Sequence, residues 1–276
     1  MAQISASAVK ALREKTGLPL MECKNALSEC SGDEDAAVQW LRERGAKVAA
    51  KRADRETSFG RFGIYAGADC GAMIELQCES APVTQNEEFI QLANDLATQL
   101  ATGPGADTAD DLLDQPSPSK TGATLREQKD ELFNRIREVF NVGRMQRLSG
   151  ACGGYSHNAS TVAGVLVEVD GDFKDAVARD ICMHIAAMRP AALGIDDLDS
   201  EEVDRERQIL RGAALNEGKP ESIVDKMVEG RLRNFYAERV LTEQPFVKEQ
   251  KITVGAYAAD NGMTIKQFVH WELGDA

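Results

Sequence analysis

Three histidines and six cysteines are the residues in this 276-residue chain whose types could carry covalent or metal chemistry. A nucleophile needs a base within hydrogen-bond reach, so the histidines come first. His184 falls on the apolar stripe Phe173, Val177, Ile181 and Ile185, which makes it a core histidine with a satisfied ring nitrogen. His270 alternates within a strand pattern and has no motif beside it. His157 follows Gly153-Gly154-Tyr155-Ser156 in an expected turn, and is therefore the histidine expected on a loop, where binding residues concentrate. It lacks partner ligands at usable spacing, so no metal role is expected of it.

The cysteines at 23, 30, 70, 78, 152 and 182 include no pair at the two-residue spacing of a zinc knuckle or redox motif, and reduced thiols are expected. No Walker-type phosphate loop occurs, and Gly103-Pro104-Gly105 lacks the flanking strand and helix such a loop requires. The carboxylates are scattered along helical faces, as on solvated surfaces. Neither a catalytic residue nor a cofactor or metal site is expected, and the chain reads as a binding protein, not an enzyme.

Lys and Arg number 32 against 45 Asp and Glu, a formal net charge of -13. Phosphate-backbone binding needs clustered cations, so neither nucleic acid nor an anionic membrane is an expected partner. Hydrophobic residues at 43% and charged residues at 28% balance as in a folded globular chain. Met1-Ala2-Gln3-Ile4-Ser5 lacks a basic stretch followed by an apolar run, and no span of about 18 apolar residues follows. A cytoplasmic protein is expected.

The elements that must position these residues form an α+β pattern. Residues 1 to 55 read as a three-helix module: Ser5 caps the first helix, which stops at Thr16-Gly17; Pro19 opens the second, which Gly32 ends; Asp33 caps the third, which Gly45 closes. Lys47, Lys51, Arg52 and Arg55 then read as a solvated helical connector, with a basic patch as the alternative. Residues 56 to 140 form a first core subdomain. In it, Gly63-Ile64-Tyr65 and Ala72 to Leu76 make a hairpin, backed by the helical stripe Phe89, Leu92, Ala93, Leu96, Ala97 and Leu100. Thr102 to Thr121 reads as an exposed connection, and 124 to 140 as a resumed helix.

Residues 141 to 276 form a second subdomain that repeats the pattern, with Tyr155 and Val162 to Val169 as the hairpin and Phe173 to Ile185 as the stripe. Inserted at about 198 to 240, a helix capped by Ser200 and a second helix flank the breaker Gly218-Lys219-Pro220, an expected antiparallel coiled-coil hairpin. A short helix capped by Thr253 and a strand around Phe268 to Leu273 complete the second sheet.

Leu12-Arg13-Glu14-Lys15-Thr16-Gly17, Met21-Glu22-Cys23-Lys24-Asn25-Ala26-Leu27 and Gly32-Asp33 resemble the amino-terminal module of the bacterial elongation factor Ts family. Cys78-Glu79-Ser80, Met183 to Ala187, Lys226 to Arg231 and Gln244-Pro245-Phe246-Val247 resemble the same family in the same order. The resemblance implies a module like ubiquitin-associated domains, two related subdomains and the inserted hairpin. It also implies a guanine nucleotide exchange factor for elongation factor Tu, which binds the GDP-bound and nucleotide-free GTPase and loosens GDP and its magnesium. It leaves one-to-one and two-to-two complexes both open.

By that resemblance, Arg13, Leu20 and Met21 contact a helix of the GTPase domain, and His157 lies near its phosphate loop. The family pattern has Thr-Asp-Phe-Val after Cys-Glu, with the aromatic ring wedged beside the magnesium site, where this chain carries Ser80-Ala81-Pro82-Val83. Pro82 lacks the area and shape of a phenyl ring, so this loop is expected to dock without the wedge. Family members often continue into a further helix, whereas this sequence stops at Gly274-Asp275-Ala276. Two rival readings are an adaptor whose ubiquitin-associated-like module binds peptides, and a thiol enzyme using Cys23 or Cys78 with His157. Neither has a supporting constellation.

Overall fold

A computed structural model describes residues 4–52, 54–159 and 161–275, so Met1-Ala2-Gln3, Ala53, Ser160 and Ala276 lie outside the described residues. The chain divides into two compact units, Met1–Gly63 with Ile74–Gln146 and Ile64–Met73 with Arg147–Asp275.

The first unit opens with helices α1 (Ala6–Thr16), α2 (Leu20–Glu29) and α3 (Glu34–Ala50). Their starts follow local hydrogen-bond chemistry: Ser5 accepts from Ala8 N–H at 3.1 Å and Asp33 from Ala36 N–H at 3.0 Å. Gly17 ends α1 at a φ of 69°. The helices are individually too short to persist, and they bury Leu12, Cys23, Ala26, Leu27, Ala37 and Leu41 against one another.

Strands β1 (Phe59–Ala66) and β2 (Cys70–Cys78) form the hairpin, helices α4 (Glu87–Thr102), α5 (Ala109–Leu113) and α6 (Leu125–Ile136) follow, and β3 (Phe140–Ser149) joins the sheet in the order β1-β2-β3. The α4 stripe is as expected, with Phe89, Leu92, Leu96 and Leu100 buried. Each such side chain contributes about 1.5–3 kcal/mol of burial.

Three expectations for this unit fail. Gly45 does not close α3, which runs on to Ala50. Glycine is there for contact: a Cβ at 45 would lie 1.9 Å from Asn134 Oδ1 of α6. The connection from 102 to 121 is not wholly exposed, because α5 buries Leu112 and Leu113. The helix of 124 to 140 stops at Ile136, and Phe140 begins β3. The start at Thr124 is a capping box with Glu127, but Arg137 breaks the helix in a left-handed conformation that no glycine announces.

In the second unit β4 (Ala151–Asn158) pairs antiparallel with β5 (Val162–Gly171), and helix α7 (Asp175–Met188) packs on both. Helices α8 (Ser200–Asn216) and α9 (Glu221–Arg239) form a hairpin with its own small core of Ala214, Val224, Val228 and Leu232. Ion pairs Arg207–Glu229 and Arg211–Asp225 run along it. Asp199 caps α8 in place of Ser200, its carboxylate accepting from Glu201 N–H at 3.0 Å.

The chain returns through β6 (Pro245–Phe246), β7 (Glu249–Thr253) and α10 (Val254–Asp260, capped by Thr253) to β8 (Met263–Glu272). β8 pairs with β5, so the second sheet runs β4-β5-β8 and has the strand logic of the first. The repeat reaches single residues. A Cβ on Gly63 of β1 would meet Ala93 O of α4 at 1.9 Å, and one on Gly153 of β4 would meet the Ala178 Cβ of α7 at 2.5 Å. In both units a strand and a helix approach more closely than any side chain allows. Among the described residues no helix is long and apolar enough to cross a membrane.

Candidate partner-binding surface

Pro19 fixes the entry to α2, so Leu20 and Met21 occupy its first turn. Cys23, Ala26 and Leu27 turn inward, yet Leu20 is 49% and Met21 61% exposed. Both side chains face water. Arg13 of α1 is exposed as well.

Ser80 to Val83 enters a 3-10 turn spanning Ala81–Gln85. Its ends are tied down. Glu138 accepts from Ser80 N–H at 3.0 Å and from Ser80 Oγ–H at 2.5 Å. Arg61 of β1 donates to Thr84 O at 2.9 Å, and Thr84 Oγ–H donates to Ala81 O at 2.7 Å. Val83 is buried and anchors the turn, which leaves Ala81 and Pro82 as its exposed face. The preceding Glu79 accepts from Val139 N–H and Arg55, both at 2.8 Å. Burial alone would raise its carboxyl, but these partners outweigh that and hold it below the usual carboxylate range. The carboxylate therefore stays charged.

Residues 137 to 139 thus emerge as a junction that sequence reasoning missed. Arg137 pairs with Glu22, one residue beyond Met21, and its carbonyl accepts from Arg52 Nη1 at 2.6 Å. Glu138 and Val139 hold the Ser80 turn and Glu79. Nothing in the run Arg135-Ile136-Arg137-Glu138 distinguishes it from any solvated helix end, because its partners are distant in sequence.

His157 is not on a loop. It lies in β4 opposite Ala163, half-buried, with Nδ1 3.0 Å from the Tyr155 hydroxyl. The glycines before it lie in the strand and not in a turn: Gly153 makes room for Ala178 of α7 and Gly154 for Ile64 of β1. His184 is fully buried: Nδ1 accepts from Val247 N–H at 3.3 Å, so Nε2 carries the proton toward Gln244 Oε1 at 2.9 Å. Burial lowers its pKa despite the Gln244 contact, as suits a neutral structural ring.

Burial pushes the Cys78 thiol up to about 12, with the Glu138 charge adding to it, so Cys78 is a thiol at neutral pH and not a nucleophile. Among the described residues no group of three His, Cys, Asp or Glu side chains is placed to hold a metal ion. A cleft of about 500 Å³ lies beside α1 and α6, but its cations Lys15, Arg42, Lys120 and Arg135 all face carboxylates. It presents balanced charge to any anionic ligand.

The first unit therefore offers an exposed apolar pair and a clamped turn, and the second a half-buried histidine, features that suit recognition of another protein. The family model for elongation factor TS matches residues 82–275, which include the Pro82 turn, helices α4 to α6, the β4-β5-β8 sheet with α7 and the α8–α9 hairpin. With some two thirds of its length so matched, this chain belongs to the elongation factor Ts family of translation factors.

Proposed function

We propose that this chain is the guanine nucleotide exchange factor of elongation factor Tu, binding its GDP form, loosening GDP and magnesium, and leaving when GTP enters. Family membership over residues 82–275 is the observation that carries the reading. The exposed Leu20 and Met21, with Arg13 nearby in sequence, support it as an apolar anchor with a charged flank.

A factor that binds the nucleotide-free GTPase more tightly than its GDP form weakens GDP by the same factor, as linkage demands. Each tenfold corresponds to about 1.4 kcal/mol. A few contacts that differ between the two states supply this, and no group of the chain need make or break a bond. Leu20 and Met21, the Ser80-Ala81-Pro82-Val83 turn and His157 are those contacts. Ala81-Pro82 stands where the family pattern has Asp-Phe, so the turn positions and excludes water while the anchor and His157 supply the discrimination. Because Val83 faces inward, Pro82 and Ala81 are the turn's contact atoms.

Stopped-flow release of labelled GDP from elongation factor Tu tests the reading. Saturating protein is expected to accelerate release by orders of magnitude, on the order of 100-fold or more, without any GTP hydrolysis by the chain itself. Unchanged release at saturation removes the proposal.

A further inference from the structure

We infer that Arg137 is a positioning residue, which fixes the helical module on α6 so that Leu20 and Met21 are presented in one orientation; the partner it serves rests on the exchange reading above. The first observation is conformational. Arg137 caps α6 at φ 65° and ψ 25°, a left-handed position that glycine or asparagine occupies at least cost. Ser31 and Arg189 are the other non-glycine residues described at positive φ. An arginine held there is favoured by what its side chain does.

The second observation is what that side chain does. Its guanidinium pairs with Glu22 in the first turn of α2, and both side chains are less than a third exposed, at 28% and 29%. Its carbonyl accepts from Arg52 just past α3. One residue therefore grips the module at two places, in α2 and just past the end of α3. The neighbouring residues of α6 add shape: Asn134 fills the space over Gly45, the Arg135 side chain packs on Gly17, and Glu127 and Glu131 meet Arg42. Arg137 sits at the end of this line nearest in sequence to Glu138, which holds Ser80. The adjacent pair thus ties the apolar anchor and the clamped turn to one backbone position. Preorganisation of this kind acts on affinity by removing an ordering cost from the docking step.

The test separates positioning from simple stability. Arg137→Gly removes the guanidinium but relieves the left-handed backbone, so the melting temperature of the full chain is expected to stay within about 3 °C of the parent. Trypsin cleavage after Lys51, Arg52 and Arg55, which joins module to core, is expected to quicken several-fold, roughly 5-fold, as the module loosens. In GDP release, the half-saturating concentration is expected to rise by about five-fold with the maximal rate changed less than about two-fold. Glu22→Gln reproduces both effects, and the double variant is no worse than either single one, because both remove one contact.

Parent-like cleavage and half-saturation in Arg137→Gly, or independent addition of the two substitutions, overturns the inference. If the parent protein leaves GDP release unchanged, the exchange reading falls, and the cleavage comparison alone then decides whether Arg137 holds the module.

Discussion

At the scale of single residues, exposure separates candidate contacts from core more sharply than residue type does. Leu20 and Met21 are apolar yet exposed, while His184 and Gln244 are polar yet fully buried. Leu20→Ala with Met21→Ala is therefore expected to weaken exchange by about 2 kcal/mol or more, as hot-spot truncations do, with circular dichroism and melting unchanged. A collapsed module would place both side chains in the core. Gln244→Ala is expected to behave oppositely. It strands the His184 Nε2–H without an acceptor and removes the donor to Glu238 O, at 3.0 Å in the parent. A loss of about 1–3 kcal/mol in urea unfolding is expected, with the half-saturating concentration in exchange unchanged. The stripe that marked His184 as core was legible in the sequence; its two partners, more than fifty residues away, were not.

At the scale of elements, the repeated hairpin and helix depend on two glycines that act through the space they leave empty. Gly63→Ala and Gly153→Ala are each expected to destabilise by about 1–3 kcal/mol, since a methyl would press on Ala93 O in one unit and on Ala178 in the other. Thermal melting of each variant checks this, and parent-like stability in both would show that the strands can yield. The turn and β4 allow a comparison within one protein. Pro82 offers a small exposed ring on a turn clamped by Glu138 and Arg61, so Pro82→Ala is expected to change GDP release only a few-fold, well below about 1.4 kcal/mol in barrier. His157→Ala is expected to cost more, because it removes an imidazole that Tyr155 holds in a regular strand. Exchange that is abolished by Pro82→Ala and untouched by His157→Ala would assign the wedge to the turn. Finding His157 in a strand strengthens the comparison, since a strand residue is better ordered than one on a loop.

At the scale of the whole molecule, one fully buried and one partly buried imidazole set the pH response. Burial lowers the pKa of His184 and His270 below the ordinary value of 6.5, so the unfolded chain binds protons that the folded chain refuses. Their stabilisation is fully present above about pH 6.5 and is lost as pH falls below it, and the urea midpoint is expected to drop between about pH 7.5 and 5.5. A flat midpoint across that window would mean that both rings accept a proton without strain. Glu79 contributes with the same sign but lower, as pH falls through the carboxylate range, because its folded pKa lies below the ordinary value of 4.5.

The charge balance, the α+β class, the duplicated hairpin and helix, the caps at Ser5, Asp33 and Thr253 and the order of the family motifs were all determined by the sequence alone. Each depends on near neighbours, through hydrogen bonds three residues apart or apolar spacing along one element. Tertiary structure alone decided that α3 passes through Gly45, that Phe140 begins a strand, that Val83 turns inward and that Arg137 reaches Glu22. Those outcomes depend on which distant backbone or side chain fills the space beside a residue, and such contacts leave no period or spacing along the chain.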